Sequence, residues 1–141
     1  MNDYRDQFQI AAIRGEAPKA RARIRDGAVS AGLPMNAILD LEVAVGEALS
    51  NAILYGSQDG GSRVDICCEG SMRNDSFIVE IVDTGAGFDP GTARTASSYD
   101  DVGGRGISIM RALVDALRIY HNGSGTVVEL VMKGANRQGN S

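Results

Sequence analysis

Glu47 and Asn51 stand four residues apart in the stretch "GEALSN". On a helix that spacing puts two side chains on one face about one turn apart. An amide oxygen there suits one position around a hard cation such as Mg²⁺, with phosphates and water filling the rest. A carboxylate beside it can take a proton from an attacking hydroxyl. The same two residues also fit a solvated, idle helix face. Asp83 is the next candidate. In "SFIVEIVD" the apolar Phe77, Val79 and Ile81 share one parity, and continuing the alternation aims the Asp83 carboxylate at the core. An ionised carboxylate only accepts hydrogen bonds, so a buried one at a strand end needs a donor, and an exocyclic adenine amine is such a donor. Gly85 and Gly87 follow and let a ligand approach the backbone closely. A plain Asp-x-Gly turn would look the same.

Two further features complete the set. "GGRGI", residues 103–107, joins a polar stretch to the expected start of a helix, where free N–H groups and the helix dipole suit a phosphate. It equally reads as a hinge, and it is a poor dinucleotide fingerprint because no strand leads into it. Thr126 shares the parity of Val128, Leu130 and Met132, so its hydroxyl can help satisfy Asp83 or a bound water. A β-branched residue opening a strand would occupy the same place.

Elements must hold these residues in position. "QFQIAAI" reads as a first strand, and "GEAPKARARIRDGAVSAG" as a helix from about Pro18 with Gly32 as its stop. The strongest helix is "PMNAILDLEVAVGEALSNAILYG", with Leu41, Val45, Ala48 and Ala52 forming a buried stripe and Gly56 just past the end. "SRVDICCE" alternates as a half-buried strand, Val64, Ile66 and Cys68 against Arg63, Asp65 and Cys67. "GSMRND" then forms a polar turn into "SFIVEIVD", which predicts a hairpin. Residues 88–103 lack an apolar period and read as a binding loop or lid. "GISIMRALVDAL" places Ile109, Met110, Leu113 and Leu117 at helical spacing, and strands "LRIYH" and "TVVELVMK" follow across "NGSG". The tail "GANRQGNS" reads as flexible. Strands in adjacent hairpin pairs with helices between the pairs predict an α+β, two-layer sandwich: a mixed, mostly antiparallel sheet with helices on one face.

Composition narrows the function classes. A chain of 141 residues, 43% hydrophobic and 23% charged, is expected to form one domain, with about residues 8–133 as its ordered core and 134–141 as tail. The net charge of −4 argues against direct binding to nucleic acid, which depends on Lys and Arg neutralising phosphates. The adjacent Cys67 and Cys68 point to opposite faces of a strand and suggest neither a disulfide framework nor a zinc site. "MNDYRDQFQI" lacks the basic start and apolar run of a signal peptide, and no run of about 18 apolar residues occurs. The expectation is a cytoplasmic protein without membrane attachment.

In order, "EALSN", "DTGAGF", "GGRGI" and the Gly125-Thr126 pair resemble the N box and glycine boxes of the GHKL ATPase superfamily, which includes gyrase-type topoisomerases, histidine kinases and anti-sigma-factor kinases. The likeness spans about residues 8–133. Within the superfamily the chain is most similar to the small single-domain serine kinases that act as anti-sigma factors, through the paired opening helices, the Glu-x-x-x-Asn pair and the closing "GT-V-L" strand. The resemblance implies the Bergerat ATP-binding fold, ATP and Mg²⁺ as cofactors, and a kinase that binds a sigma factor and phosphorylates a serine of a small STAS-type antagonist. It implies that Asn51 is the Mg²⁺ ligand, Glu47 the general base, and Asp83 the reader of adenine N6, with Thr126 supporting it through water. Gly85, Gly87, Gly104 and Gly106 match the glycines that shape the pocket and hinge its lid. Arg105 replaces the usual apolar residue between the two lid glycines, where it can alter contacts with the γ-phosphate, and Tyr55 stands where many relatives have His. Arg21 matches a basic position that contacts both the sigma factor and the antagonist, although it is also one of several basic residues on its helix. A homodimer is implied as well. Two alternatives stay open: a catalytically silent ATP-binding anti-sigma module, and a histidine kinase fragment. Against the second, the only histidine, His121, falls in an expected strand and not in a phosphoacceptor helix.

Overall fold

The computed structural model describes residues 3–56, 65–83, 96–122 and 125–134. In chain order these form β1 (Tyr4–Ala11), a 3-10 turn (Arg14–Glu16), α1 (Ala17–Ala31), α2 (Met35–Gly56), β2 (Asp65–Arg73), β3 (Ser76–Asp83), α3 (Ala96–Leu113), β4 (Ala116–His121) and β5 (Thr126–Lys133). The five strands make one sheet in the order β1-β2-β3-β5-β4. All its pairings among the described residues are antiparallel. This is the expected two-layer α+β sandwich, with the mostly antiparallel sheet in its fully antiparallel form.

Local chemistry sets the boundaries. Gly32 ends α1 in the left-handed region at φ 96. Its N–H donates to Val29 O and the N–H of Leu33 donates to Ala28 O, both at 3.1 Å. These two bonds are a Schellman closure, which favours glycine because any side chain would be strained there. The β2–β3 turn is tighter than the polar stretch "GSMRND" predicts. β2 continues to Arg73, which pairs with Ser76, so the turn is only Asn74 and Asp75, at φ 49 and 67. Positive φ at both central residues matches the right-handed twist of a hairpin, and Asn and Asp tolerate it better than other side chains. Gly70 therefore belongs to the strand and not to the turn. A Cβ on Gly70 would stand 3.0 Å from the tip of the Phe77 ring, so its missing side chain makes room for the largest fully buried residue of the core.

The core lies between the sheet and the helices. Phe77, Val79 and Ile81 of β3 and Val128, Leu130 and Met132 of β5 are buried, as their parity predicts. From above they meet Ala37, Ile38, Leu41, Ala44, Val45, Ala48, Leu49 and Ala52 of α2. The alanines keep that face low, so α2 lies close over β3 and β5 while packing against α1 on one side and α3 on the other. At the outer edge Arg23 of α1 binds Asp6 of β1 through two 2.7 Å hydrogen bonds and stacks over Phe8. The guanidinium holds the Asp6 carboxyl below its ordinary range. Cys68 faces the core, where burial pushes its thiol up to about 12, while Cys67 lies on the opposite face.

The region around α3 departs from expectation. The helix starts at Ala96 and runs through "GGRGI" to Leu113, so residues 96–103 are helical and Leu117 lies in β4 instead. No apolar period announces this first part, and each interior glycine disfavours a helix by about 1 kcal/mol relative to alanine. Further along, α3 packs against α2, with Ile107 and Met110 buried against the core. Val114 N–H donates to Met110 O at the end of the helix, and Asp115 N–H donates to Val131 O of β5, which turns the chain into β4.

Candidate functional site

α2 carries Glu47 and Asn51 on the flank of its buried stripe. Asn51 is 8% exposed and Glu47 half-buried. α3 crosses directly over them at Gly106. A Cβ on Gly106 would stand 2.9 Å from Glu47 Oε1, 3.5 Å from Asn51 Nδ2 and 3.7 Å from Asn51 Oδ1. On the other flank the Arg21 side chain of α1 lies along Gly46, whose Cβ would be 3.4 Å from Arg21 Nη1 and 3.5 Å from Cδ. The turn of α2 at residues 46–47 is thus bracketed by Arg21 and Gly106. Gly46 is not among the candidates that the sequence singles out. A signal for it exists there all the same: a glycine inside an otherwise strong helix costs stability and marks a close approach.

A second group lies in the sheet beneath. Asp83, at the end of β3, and Thr126, at the start of β5, are direct partners across the antiparallel ladder. They sit on the helix-covered face, with Asp83 3% and Thr126 7% exposed. Ile66 flanks Asp83 on β2 and is fully buried. The two groups therefore occupy facing layers, one on α2 and one on the strands that α2 covers.

Two atoms of this site are buried without a hydrogen-bond partner among the described residues, Asn51 Nδ2 and Thr126 Oγ1. Leaving a buried polar atom unsatisfied costs about 1–3 kcal/mol, so native proteins rarely do so. The donor set suits a nucleotide with its metal. An Asn amide offers a donor to a phosphate oxygen or, with its two ends exchanged, an oxygen to a cation. A buried carboxylate accepts from a base amine, and a threonine hydroxyl both donates and accepts.

The remaining candidates fall out as follows. Gly85 and Gly87 lie outside the described residues. Gly104, Arg105 and Gly106 are in the interior of α3, Gly106 buried and Arg105 exposed. "GGRGI" is therefore not at a helix start here, and its N–H groups belong to the hydrogen-bond ladder of the helix and not to a free N-terminus. Tyr55 falls in the last turn of α2. His121 ends β4 and is exposed.

The sequence model of the histidine kinase-like ATPase domain matches residues 10–132. A serine-protein kinase RsbW of Listeria monocytogenes is 30% identical over 110 residues, 70% of this chain and 68% of the relative. An anti-sigma F factor of Clostridium beijerinckii is 29% identical over 139 residues, 91% of this chain and 94% of the relative. Among solved structures, that of the RsbU and RsbW domains of a Mycobacterium tuberculosis protein superposes with a TM-score of 0.66 at 22% identity. The match covers 92% of this chain but 32% of that one, and it shows the fold alone.

Proposed function

The chain belongs to the histidine kinase-like ATPase domain family, among the anti-sigma-factor serine kinases of the GHKL superfamily, and from that premise we propose an ATP- and Mg²⁺-dependent protein serine kinase. It binds a sigma factor and phosphorylates a serine of a small STAS-type antagonist. The observation that carries this reading is the Glu47–Asn51 pair, held on α2 against Gly106, with a buried Asn51 amide that has no partner among the described residues.

Each residue has a part in that chemistry. Asp83 accepts a hydrogen bond from the adenine amine, and the Thr126 hydroxyl completes the same polar pocket. Asn51 lies at the phosphate end and would hold Mg²⁺. The bound metal would neutralise charge on the transferring phosphoryl group, as in phosphoryl transfer generally. Glu47 receives the proton of the incoming serine hydroxyl, so the alkoxide character needed for attack develops beside a ready acceptor. Gly85, Gly87 and Gly104 shape the pocket and its cover, and Arg105, exposed on α3, alters contacts with the γ-phosphate. Arg21, at the seam of α1 and α2 next to the Glu47 turn, contacts the sigma factor and the antagonist.

The protein is further proposed to work in the cytoplasm as a homodimer, with residues 1–141 as one domain. No helix among the described residues is long and apolar enough to cross a membrane. His121 at an exposed strand end gives no support to a histidine kinase fragment.

The test is incubation with labelled ATP, Mg²⁺ and the STAS-domain protein encoded nearest to this chain's gene. The expected product is that protein carrying one phosphoserine. Sigma-factor binding without any transfer, in the presence of a verified antagonist, would instead identify a silent ATP-binding anti-sigma module.

A further inference from the structure

We propose that Gly106 is a positioning residue for Glu47, its missing side chain being the clearance that lets the carboxylate stand where an incoming hydroxyl is deprotonated. The inference rests on the kinase reading above, in which Glu47 is the proton acceptor.

Glycines at a motif such as "GGRGI" invite explanation as a hinge, because glycine frees the backbone. Gly106 does not use that freedom here. It lies inside α3, buried, in ordinary helical conformation, where glycine is the least favourable residue short of proline. What α3 gains is proximity. A Cβ would come within 2.9 Å of Glu47 Oε1, closer than such atoms approach in folded proteins, while the Asn51 amide at 3.5 and 3.7 Å is at ordinary contact distance. The obstruction thus falls on Glu47 and spares Asn51. Of the two parts in conflict, the end of a glutamate side chain gives way more easily than two packed helices. A methyl group at 106 is therefore expected to turn the carboxylate aside by about half an ångström while leaving the metal and phosphate end in place. Misplacing a reacting group by about 1 Å can cost roughly 100-fold in rate, so a displacement of half that size corresponds to about 10-fold.

The test compares wild type, Gly106→Ala, Glu47→Gln and the double variant, each assayed with labelled ATP, Mg²⁺ and the nearest encoded STAS-domain protein. Gly106→Ala is expected to lower kcat for phosphotransfer by about 10-fold. ATP affinity should be unchanged, and the Tm unchanged or raised because alanine favours the helix. In the Glu47→Gln background the same substitution should have no further effect, since residues that act through one group are not additive.

A Gly106→Ala protein that weakens ATP binding as much as transfer would restore the hinge reading and overturn the proposal. Full activity would also overturn it, as would an additive loss in the double variant. A Gly106→Ala protein that fails to fold contradicts it too, because the side chain and not the helix is predicted to yield. If Glu47→Gln alone transfers at the wild-type rate, the kinase assignment of Glu47 falls and this proposal with it. If Glu47→Gln is defective and Gly106→Ala is not, the positioning role alone falls.

Discussion

Asp83 puts a carboxylate at the core end of a strand and places a threonine hydroxyl opposite it. Neither residue strengthens a hydrophobic core, and a buried carboxylate or hydroxyl costs free energy unless it is hydrogen-bonded. Asp83→Asn keeps the shape and exchanges a charged acceptor for an amide. Losing one charge-assisted hydrogen bond, about 1.5–3 kcal/mol, should weaken ATP binding roughly 10- to 100-fold in a protein that remains folded. Calorimetry checks this, and an unchanged affinity would remove adenine reading from Asp83. The inward aim of this side chain is legible in the sequence because the two-residue period of a strand leaves no room for drift over Phe77, Val79, Ile81 and Asp83. The contacts of Gly46 with Arg21 and of Gly106 with Glu47 are not legible there, since they join different helices and depend on how closely those helices approach.

At the scale of elements, α2, β3 and β5 are readable from apolar period alone. Each has one buried face over its whole length, and burial of that face decides its structure. The first part of α3 has no such apolar period in its sequence, so no local pattern announces that the helix begins as early as Ala96. β2 reads short in the sequence because a glycine, a serine and a polar pair look like a turn. The backbone reserves the turn for Asn74 and Asp75 and uses Gly70 to admit Phe77. The open face of the sheet carries a conflict of its own. Glu69, Glu80 and Glu129 are direct neighbours across β2, β3 and β5. Arg5 bonds Glu69 at 2.8 Å and Arg118 bonds Glu129 at 3.3 Å, so the two outer glutamates have arginine partners. Glu80 sits between them. Like charges directly opposite destabilise a sheet and opposite charges stabilise it, by about 0.2–1 kcal/mol per pair. Glu80→Lys should therefore gain about 1 kcal/mol, a rise in Tm of about 4 °C. An unchanged or lower Tm in low salt would show that the glutamate row has another use.

For the molecule as a whole, the arrangement explains how the proposed site is assembled from both layers of the fold. α2 runs between α1 and α3 and over the sheet, so one helix meets every layer of the fold. Its inner stripe fixes it, and its flanks then present Glu47 and Asn51 toward α3 while Arg21 of α1 approaches from the other side. The sheet below supplies Asp83 and Thr126 from the strands that α2 covers. The order of hairpins and helices along the chain makes this architecture legible in the sequence, whereas the convergence of three helices at residues 46–47 appears only in three dimensions. The central claim is that this convergence makes a kinase, with Glu47 as its base. Glu47→Gln preserves size and polarity but removes basicity, so ATP affinity and sigma-factor binding should persist. Phosphorylation of the antagonist should fall by about 10²- to 10⁴-fold, the range typical of general acid–base catalysis. Measuring transfer by wild type and Glu47→Gln side by side decides the matter: a loss of that size with binding intact is the predicted result, and equal rates would contradict the account.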